Sequence, residues 1–236
     1  MSENNLTVRV YPLDEPKGST KAFASISVDD LIAIRGIRVV EGEKGLFVTM
    51  PQIQDKKSGE YHDTAFPLKG DLRKSITQDV IKEYTRVISL PHDQRTYTNP
   101  EINTKSGKNI DDVNITIQIY PLENANGKTK AFASIALNNM VGIRGIRIVD
   151  GEKGLFVTMP QSQDKEKNYK DVAFPLNGDL RKKISQSVLQ EFDKGRETSK
   201  KASLTDRLAD GAAKAALTPA VDKPKTAAKS HANMIA

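Results

Sequence analysis

The sequence predicts an α+β protein: two repeated small β-sheet domains, each closed by one C-terminal helix, pairing as a pseudo-dimer and followed by a disordered basic tail. Three observations predict it. Tyr11-Pro12-Leu13 returns as Tyr120-Pro121-Leu122, and Gly42 to Gln52 returns residue for residue as Gly151 to Gln161, so the chain repeats itself at an offset of 109. Within each copy, short runs of alternating polarity precede a single apolar stripe at i+4 spacing. From Lys194 onward the composition turns to Lys, Ala and Thr, with nine Lys/Arg against four Asp/Glu.

The elements follow in order. Leu6, Val8 and Val10 alternate with Thr7 and Arg9, and Ile115, Ile117 and Ile119 do the same in the second copy. Both are half-buried strands. Lys21 to Val28 and Lys130 to Leu137 supply a second strand, and the Ile/Val-rich Leu31 to Val40 a third. Glu41-Gly42-Glu43-Lys44-Gly45 places glycines at a hairpin turn, where positive φ is needed. A fourth strand, Leu46 to Met50, stops at Pro51, and Gln52 to Glu60 is a polar loop. One helix then begins, with Asp71 as its N-cap and Leu72, Ile76, Val80 and Tyr84 on one face; Asp179, Leu180, Ile184, Val188 and Phe192 repeat that register. A unit of about 85 residues has little core of its own and leaves one sheet face bare, so the two units are expected to pair within the chain.

These readings give domains at 5–90 and 113–194, a linker at 91–112 and a tail at 195–236. The joining segment from about Thr85 to Asp112, as a flexible coil of about 25 residues, would span roughly 25–30 Å, enough for internal pairing. Removal of the tail should leave a compact monomer. The tail is expected to be disordered apart from a short helix within Ser203 to Leu217.

Composition narrows the function. The net charge of +6 resides mostly in the tail, which carries +5 of it. There is no cysteine, which removes disulfide and thiolate chemistry, and no run of apolar residues long enough for a membrane span. The polar N-terminus lacks the apolar core of a signal peptide, so a cytoplasmic location is expected. His62, His92 and His231 lie in a loop, the linker and the tail, and none recurs in the other repeat, so no metal, cofactor or catalytic role is expected. Ser25 and Ser134 recur without a nearby base and read as small sheet residues. Asp63 and Asp171 recur beside a Phe-Pro step and read as turn or capping residues. The Gly-Glu-Lys-Gly turn lacks the glycine spacing and following helix of a phosphate loop. Arg35 and Arg38 are three apart on a strand and should point to opposite faces, one of them into a packed surface or interface.

Basic residues gather in two places. Arg73 and Lys74, and likewise Arg181, Lys182 and Lys183, stand in the first helical turn, where cations oppose the helix dipole by a few tenths of a kcal/mol. Lys56, Lys57, Lys165 and Lys167 stand in the polar loops. That small cost, incurred in both copies, points to phosphate contact. No recognition helix or base-stacking platform is legible.

Gly36-Ile37-Arg38-Val39-Val40-Glu41-Gly42, Gly45-Leu46-Phe47-Val48-Thr49-Met50-Pro51 and Asp63-Thr64-Ala65-Phe66-Pro67-Leu68, with their counterparts from Gly145 to Leu176, resemble the SpoVG family of bacterial septation and sporulation regulators. The resemblance covers each repeat but neither linker nor tail. It implies a mostly antiparallel sheet with one C-terminal helix, dimerisation through the sheet, and a regulator binding DNA or RNA with the helix region involved. Arg73 and Arg181 match the family's early helical basic residue. Members often carry Ser-Lys-Arg after the Met-Pro; here Gln52-Ile53-Gln54 and Gln161-Ser162-Gln163 stand instead, with lysines slightly later.

The expectation is a nucleic-acid-binding regulator, not an enzyme, using Arg73, Lys74, Arg181, Lys182, Lys183, Lys56, Lys57, Lys165 and Lys167 against DNA or RNA. The alternative is a protein-interaction module that engages a division or transcription protein without touching nucleic acid. A further homo-oligomer stays open.

Overall fold

In a computed structural model, the chain is described over residues 5–16, 18–54, 58–95, 109–122, 127–163 and 166–216. Each repeat follows one plan. The first runs β1 (Leu6–Pro12), β2 (Thr20–Val28), β3 (Ile32–Gly42), β4 (Gly45–Thr49), β5 (Gln52–Gln54), β6 (Tyr61–Asp63), β7 (Ala65–Pro67) and α1 (Gly70–Ile88). The second runs β8 (Ile115–Pro121), β9 (Thr129–Leu137), β10 (Val141–Gly151), β11 (Gly154–Thr158), β12 (Gln161–Gln163), β13 (Tyr169–Asp171), β14 (Ala173–Pro175) and α2 (Gly178–Ala216). All strand pairs are antiparallel.

The repeats are joined by exchanged strands. β1, β2 and β3 form a meander, and β4 lies on the C-terminal half of β3. The N-terminal half of β3 is left with an open edge, and β14 of the second repeat fills it, Ala173 opposite Ile34 and Pro175 opposite Ile32. Reciprocally, β7 pairs with β10, Ala65 opposite Ile143 and Pro67 opposite Val141. Each exchanged strand is tied in further by backbone bonds, Arg35 N–H to Val172 C=O and Arg144 N–H to Thr64 C=O, both 2.7 Å. Each sheet is thus completed by the other repeat, which gives the expected internal pairing a definite form.

A single core runs through both halves. Leu72, Ile76 and Val80 of α1 and Leu180, Ile184, Val188 and Phe192 of α2 are buried with the inward residues of both meanders. The helical stripe is therefore the one the periodicity predicts. The helix starts differ from expectation. Lys69 occupies the N-cap of α1 and makes no side-chain capping bond, which puts Asp71 inside the first turn. At α2 the Asn177 carboxamide accepts from the Asp179 N–H at 2.7 Å, so Asn177, not Asp179, does the capping.

Three further departures have local causes. The loop after each Met-Pro contains a three-residue ribbon, β5 with β6 and β12 with β13, too short to show a period. Gly36 sits at φ +79 and is the extra residue of a bulge, since Ser25 faces Arg35 while Ala24 faces Ile37. Gly145, at φ +78, does the same in β10. The bulge cancels the alternation, so Arg35 and Arg38 share the outer face instead of taking opposite ones. Finally, the basic segment does not lose structure at residue 195: α2 continues to Ala216, its part from Lys194 forming a separate unit. Its Ala, Lys, Arg and Leu are strong helix formers. Residues 217–236 and most of the linker lie outside the described residues.

Candidate nucleic-acid interface

Arg73 and Arg181 do not stand alone. Asp63 closes β6 where the chain turns into the exchanged strand, and its carboxylate faces the first turn of α1. Asp63 Oδ2 lies 3.7 Å from Arg73 Nη2, and Asp171 Oδ2 lies 3.3 Å from Arg181 Nη2. The other carboxylate oxygen accepts from the carboxamide of Gln52 or Gln161, 3.0 Å in both copies. The same glutamines accept through Oε1 from a second guanidinium, Arg38 Nη2 at 3.4 Å and Arg147 Nη2 at 3.1 Å. Arg38 also donates from Nε to Thr49 Oγ1 at 3.3 Å.

Each repeat therefore carries a polar chain Arg–Gln–Asp–Arg that leads from the sheet face to the helix start. The recurring aspartates hold arginines, a role the turn reading of Asp63 and Asp171 does not include. Gln52 and Gln161, directly after each Met-Pro, link the two guanidinium groups. The outer guanidinium group is loosely held. Arg73 and Arg181 remain about half exposed (50% and 48%). An ion pair at such exposure is worth roughly 0–1 kcal/mol, so a phosphate can replace the carboxylate at little cost.

The remaining basic residues divide. Lys74 is exposed and has no partner among the described residues, and Lys182 reaches Asp179 at 3.3 Å on the surface. Lys183 is turned inward. Its ammonium donates to the carbonyls of Ile110, Asp111 and Val113 at 2.8, 3.0 and 3.0 Å, all around the one-turn 3-10 helix Ile110–Asp112. Three donors on three carbonyls use its hydrogen-bonding capacity, so Lys183 fixes the entry into the second repeat and is withdrawn from the basic surface expected of it. Ser75 holds that position in α1. Lys183→Met is expected to cost about 1–3 kcal/mol of stability, read from urea unfolding, because it strands those carbonyls. Arg86 is likewise taken: it makes bonds of 2.8 and 2.7 Å to both oxygens of Glu83. That bond holds the Glu83 carboxyl below its ordinary range. In the loops, Lys167 is exposed at φ +65 and its carbonyl accepts from Gln163 Nε2 at 3.1 Å. Lys56, Lys57 and Lys165 lie outside the described residues.

Arg35 and Arg144 serve the exchange. Arg35 stacks on Phe174 of β14, 4.5 Å from the ring centroid, and Arg144 stacks on Phe66 of β7 at 4.6 Å. Phe66 lies close against Gly142, where a Cβ would come within 2.8 Å of the ring. Among the described residues, His62 and His92 pair with surface carboxylates, Glu60 at 3.8 Å and Asp14 at 3.1 Å. Among the described residues no helix is long and apolar enough to cross a membrane, and no group of His, Asp and Glu could hold a metal ion.

Known proteins match both halves. The SpoVG family model fits residues 4–86 and again residues 113–194. A SpoVG protein of Thermoanaerobacter sp. (strain X514) is 36% identical over 74 residues, 31% of this chain and 80% of the relative. One from Caldanaerobacter subterraneus subsp. tengcongensis is 34% identical over 76 residues, 32% of this chain and 84% of the relative. One from Myxococcus xanthus (strain DK1622) is 36% identical over 83 residues, 35% of this chain and 82% of the relative. Their names class these relatives as septation proteins. Each match has the length of a single repeat, whereas two such repeats exchange strands here. The chain belongs to the SpoVG family and carries the family's domain in tandem.

Proposed function

We propose that this chain is a nucleic-acid-binding regulator of the septation type, with Arg73 and Arg181 as its principal phosphate contacts and Lys74 and Lys182 beside them. The observation that carries the reading is the duplicated Arg–Gln–Asp–Arg chain. It sets a half-exposed guanidinium at the start of each helix, steered by a carboxylate but not neutralised by burial. Phosphate oxygens fit such a donor bidentately, and helix N-termini favour anions. The +5 balance of the segment from Lys194 adds sequence-independent attraction.

A second reading has its own observation. The first 193 residues carry a balance of only about +1, and both arginines already have a carboxylate partner. A protein-interaction module working in division or transcription suits such a near-neutral body. One titration separates the two. The double variant Arg73→Ala/Arg181→Ala, checked for folding by circular dichroism, is expected to lose about tenfold in affinity for a mixed DNA or RNA pool at 50 mM salt. The slope of log affinity against log salt should fall by about two, one per lost phosphate contact. Unchanged affinity and slope, or no binding by the parent chain, would favour the protein-interaction reading.

A further inference from the structure

The outer face of each sheet bears a row of side chains whose aromatic members the phosphate reading leaves unused. Tyr11 of β1 stands opposite Phe23 of β2, Phe23 opposite Arg38 of β3, and Arg38 opposite Thr49 of β4. The second repeat has the same row, Tyr120, Phe132, Arg147 and Thr158. Three of the four aromatic members are open to solvent, Phe23 at 44%, Phe132 at 40% and Tyr120 at 46%, while Tyr11 is partly buried. Their neighbours along β2, Ala22 and Ala24, are buried, so the alternation of the strand is what pushes the ring outward. Cross-strand aromatic pairs stabilise a sheet by only about 0.2–1 kcal/mol, which rings kept this exposed do not maximise.

The row runs into the polar chain already described. Arg38 and Arg147 are at once its third members and the first members of Arg–Gln–Asp–Arg, so π-faces, an inner guanidinium and an outer guanidinium follow one another without a break. On the second repeat the same face is hollowed into an open groove of about 200 Å³, with Tyr120, Gln118 and Ser134 on one side and Phe66 under Arg144 on the other. The row itself holds a cation and no carboxylate, which suits an anionic partner with flat apolar groups. Single-stranded nucleic acid has that chemistry: every base offers a π-face and every linkage a phosphate. A duplex hides its π-faces in the stack.

We propose that Tyr11–Phe23 and Tyr120–Phe132 are stacking platforms for unpaired bases, with Arg38 and Arg147 holding the phosphates that lead toward Arg73 and Arg181. This rests on the nucleic-acid reading and adds the preference for single strands. The test uses the full chain, a 20-nucleotide oligo(dT) and a 20-base-pair duplex. The double variant Phe23→Leu/Phe132→Leu keeps apolar cover on the sheet and replaces only exposed rings. It is expected to lose about tenfold to a hundredfold in affinity for the single strand and less than twofold for the duplex. Ultraviolet crosslinking of the parent chain to oligo(dT), with peptides identified by mass spectrometry, should place adducts on β1, β2, β8 or β9. This second measurement stands even if the variant folds poorly. Equal single-strand affinity for variant and parent, or adducts confined to the helix starts and the tail, overturns the platform and leaves the phosphate reading intact. Binding of the parent chain to neither probe overturns both.

Discussion

Ala173→Asp is expected to unfold both repeats together, at a cost of about 4 kcal/mol or more. Ala173 is fully buried on β14, opposite Ile34 of β3, and belongs to the core shared by the two halves. A carboxylate there must shed its water in a wall of aliphatic side chains. The effective desolvation penalty for such an ion is several kcal/mol, and protonation to escape it also costs at neutral pH. Whole domains are stable by only about 5–15 kcal/mol, so one substitution consumes much of the margin. The distinctive part is where the damage falls. Although residue 173 is in the second repeat by sequence, the strand it disrupts completes the sheet of the first. Amide hydrogen exchange should therefore show protection lost in β1 to β3 as well as in β8 to β10. Ala65→Asp, in the reciprocal strand β7, should mirror the result. Intact protection in the first repeat of the Ala173→Asp chain would mean that the exchanged strand is not what holds the sheets together.

How much of this the residues disclosed depends on length scale. The duplication, the four long strands and the helical stripes are legible because each spans several periods of its pattern: Leu72, Ile76 and Val80 could only be one face of a helix. The strand exchange is not legible, since Ala65-Phe66-Pro67 and Ala173-Phe174-Pro175 are identical and either could sit on either sheet by local preference alone. Which sheet they join shows only in pairings across the chain, Ala65 opposite Ile143 and Ala173 opposite Ile34, and strands of three residues carry no period. Asp63 and Asp171 read as turn residues because their partners, Arg73 and Arg181, lie ten residues away across a chain reversal. Lys183 looks like its basic neighbours, and only the carbonyls of Ile110, Asp111 and Val113, 70 to 73 residues distant, set it apart. The aromatic rows are a different matter. The alternation Ala22, Phe23, Ala24, Ser25 places small residues inward and a ring outward, so the signal for an exposed Phe stood in the sequence beside the very motif that marked the repeat. The bulges were hidden behind an ordinary glycine, because a strand reading assumes unbroken alternation.

Those glycines support the second large effect. Gly145→Val is expected to destabilise the chain by about 2–4 kcal/mol, measured by urea unfolding, whereas Gly145→Asn should cost less than half of that. Gly145 holds φ at +78, a left-handed conformation that a β-branched residue reaches only with strain of about 1–3 kcal/mol, while Asn tolerates it. Space is not the obstacle, since a Cβ there would meet Pro160 Cβ at 3.7 Å, an ordinary contact. The strand has one other way to relieve the strain, which is to lose the bulge and return to unbroken alternation. That slip would turn Ile146 and Ile148 outward and Arg147 inward together, at the expense of a buried aliphatic pair and of an unpaired buried cation. Either route also breaks the line from Phe132 through Arg147 to Gln161, so the Val variant should lose single-strand affinity beyond what its stability predicts, and the Asn variant should keep it. If Val and Asn prove equally mild, the backbone does not need glycine at the bulge, and the shared face of Arg144 and Arg147 must have another cause.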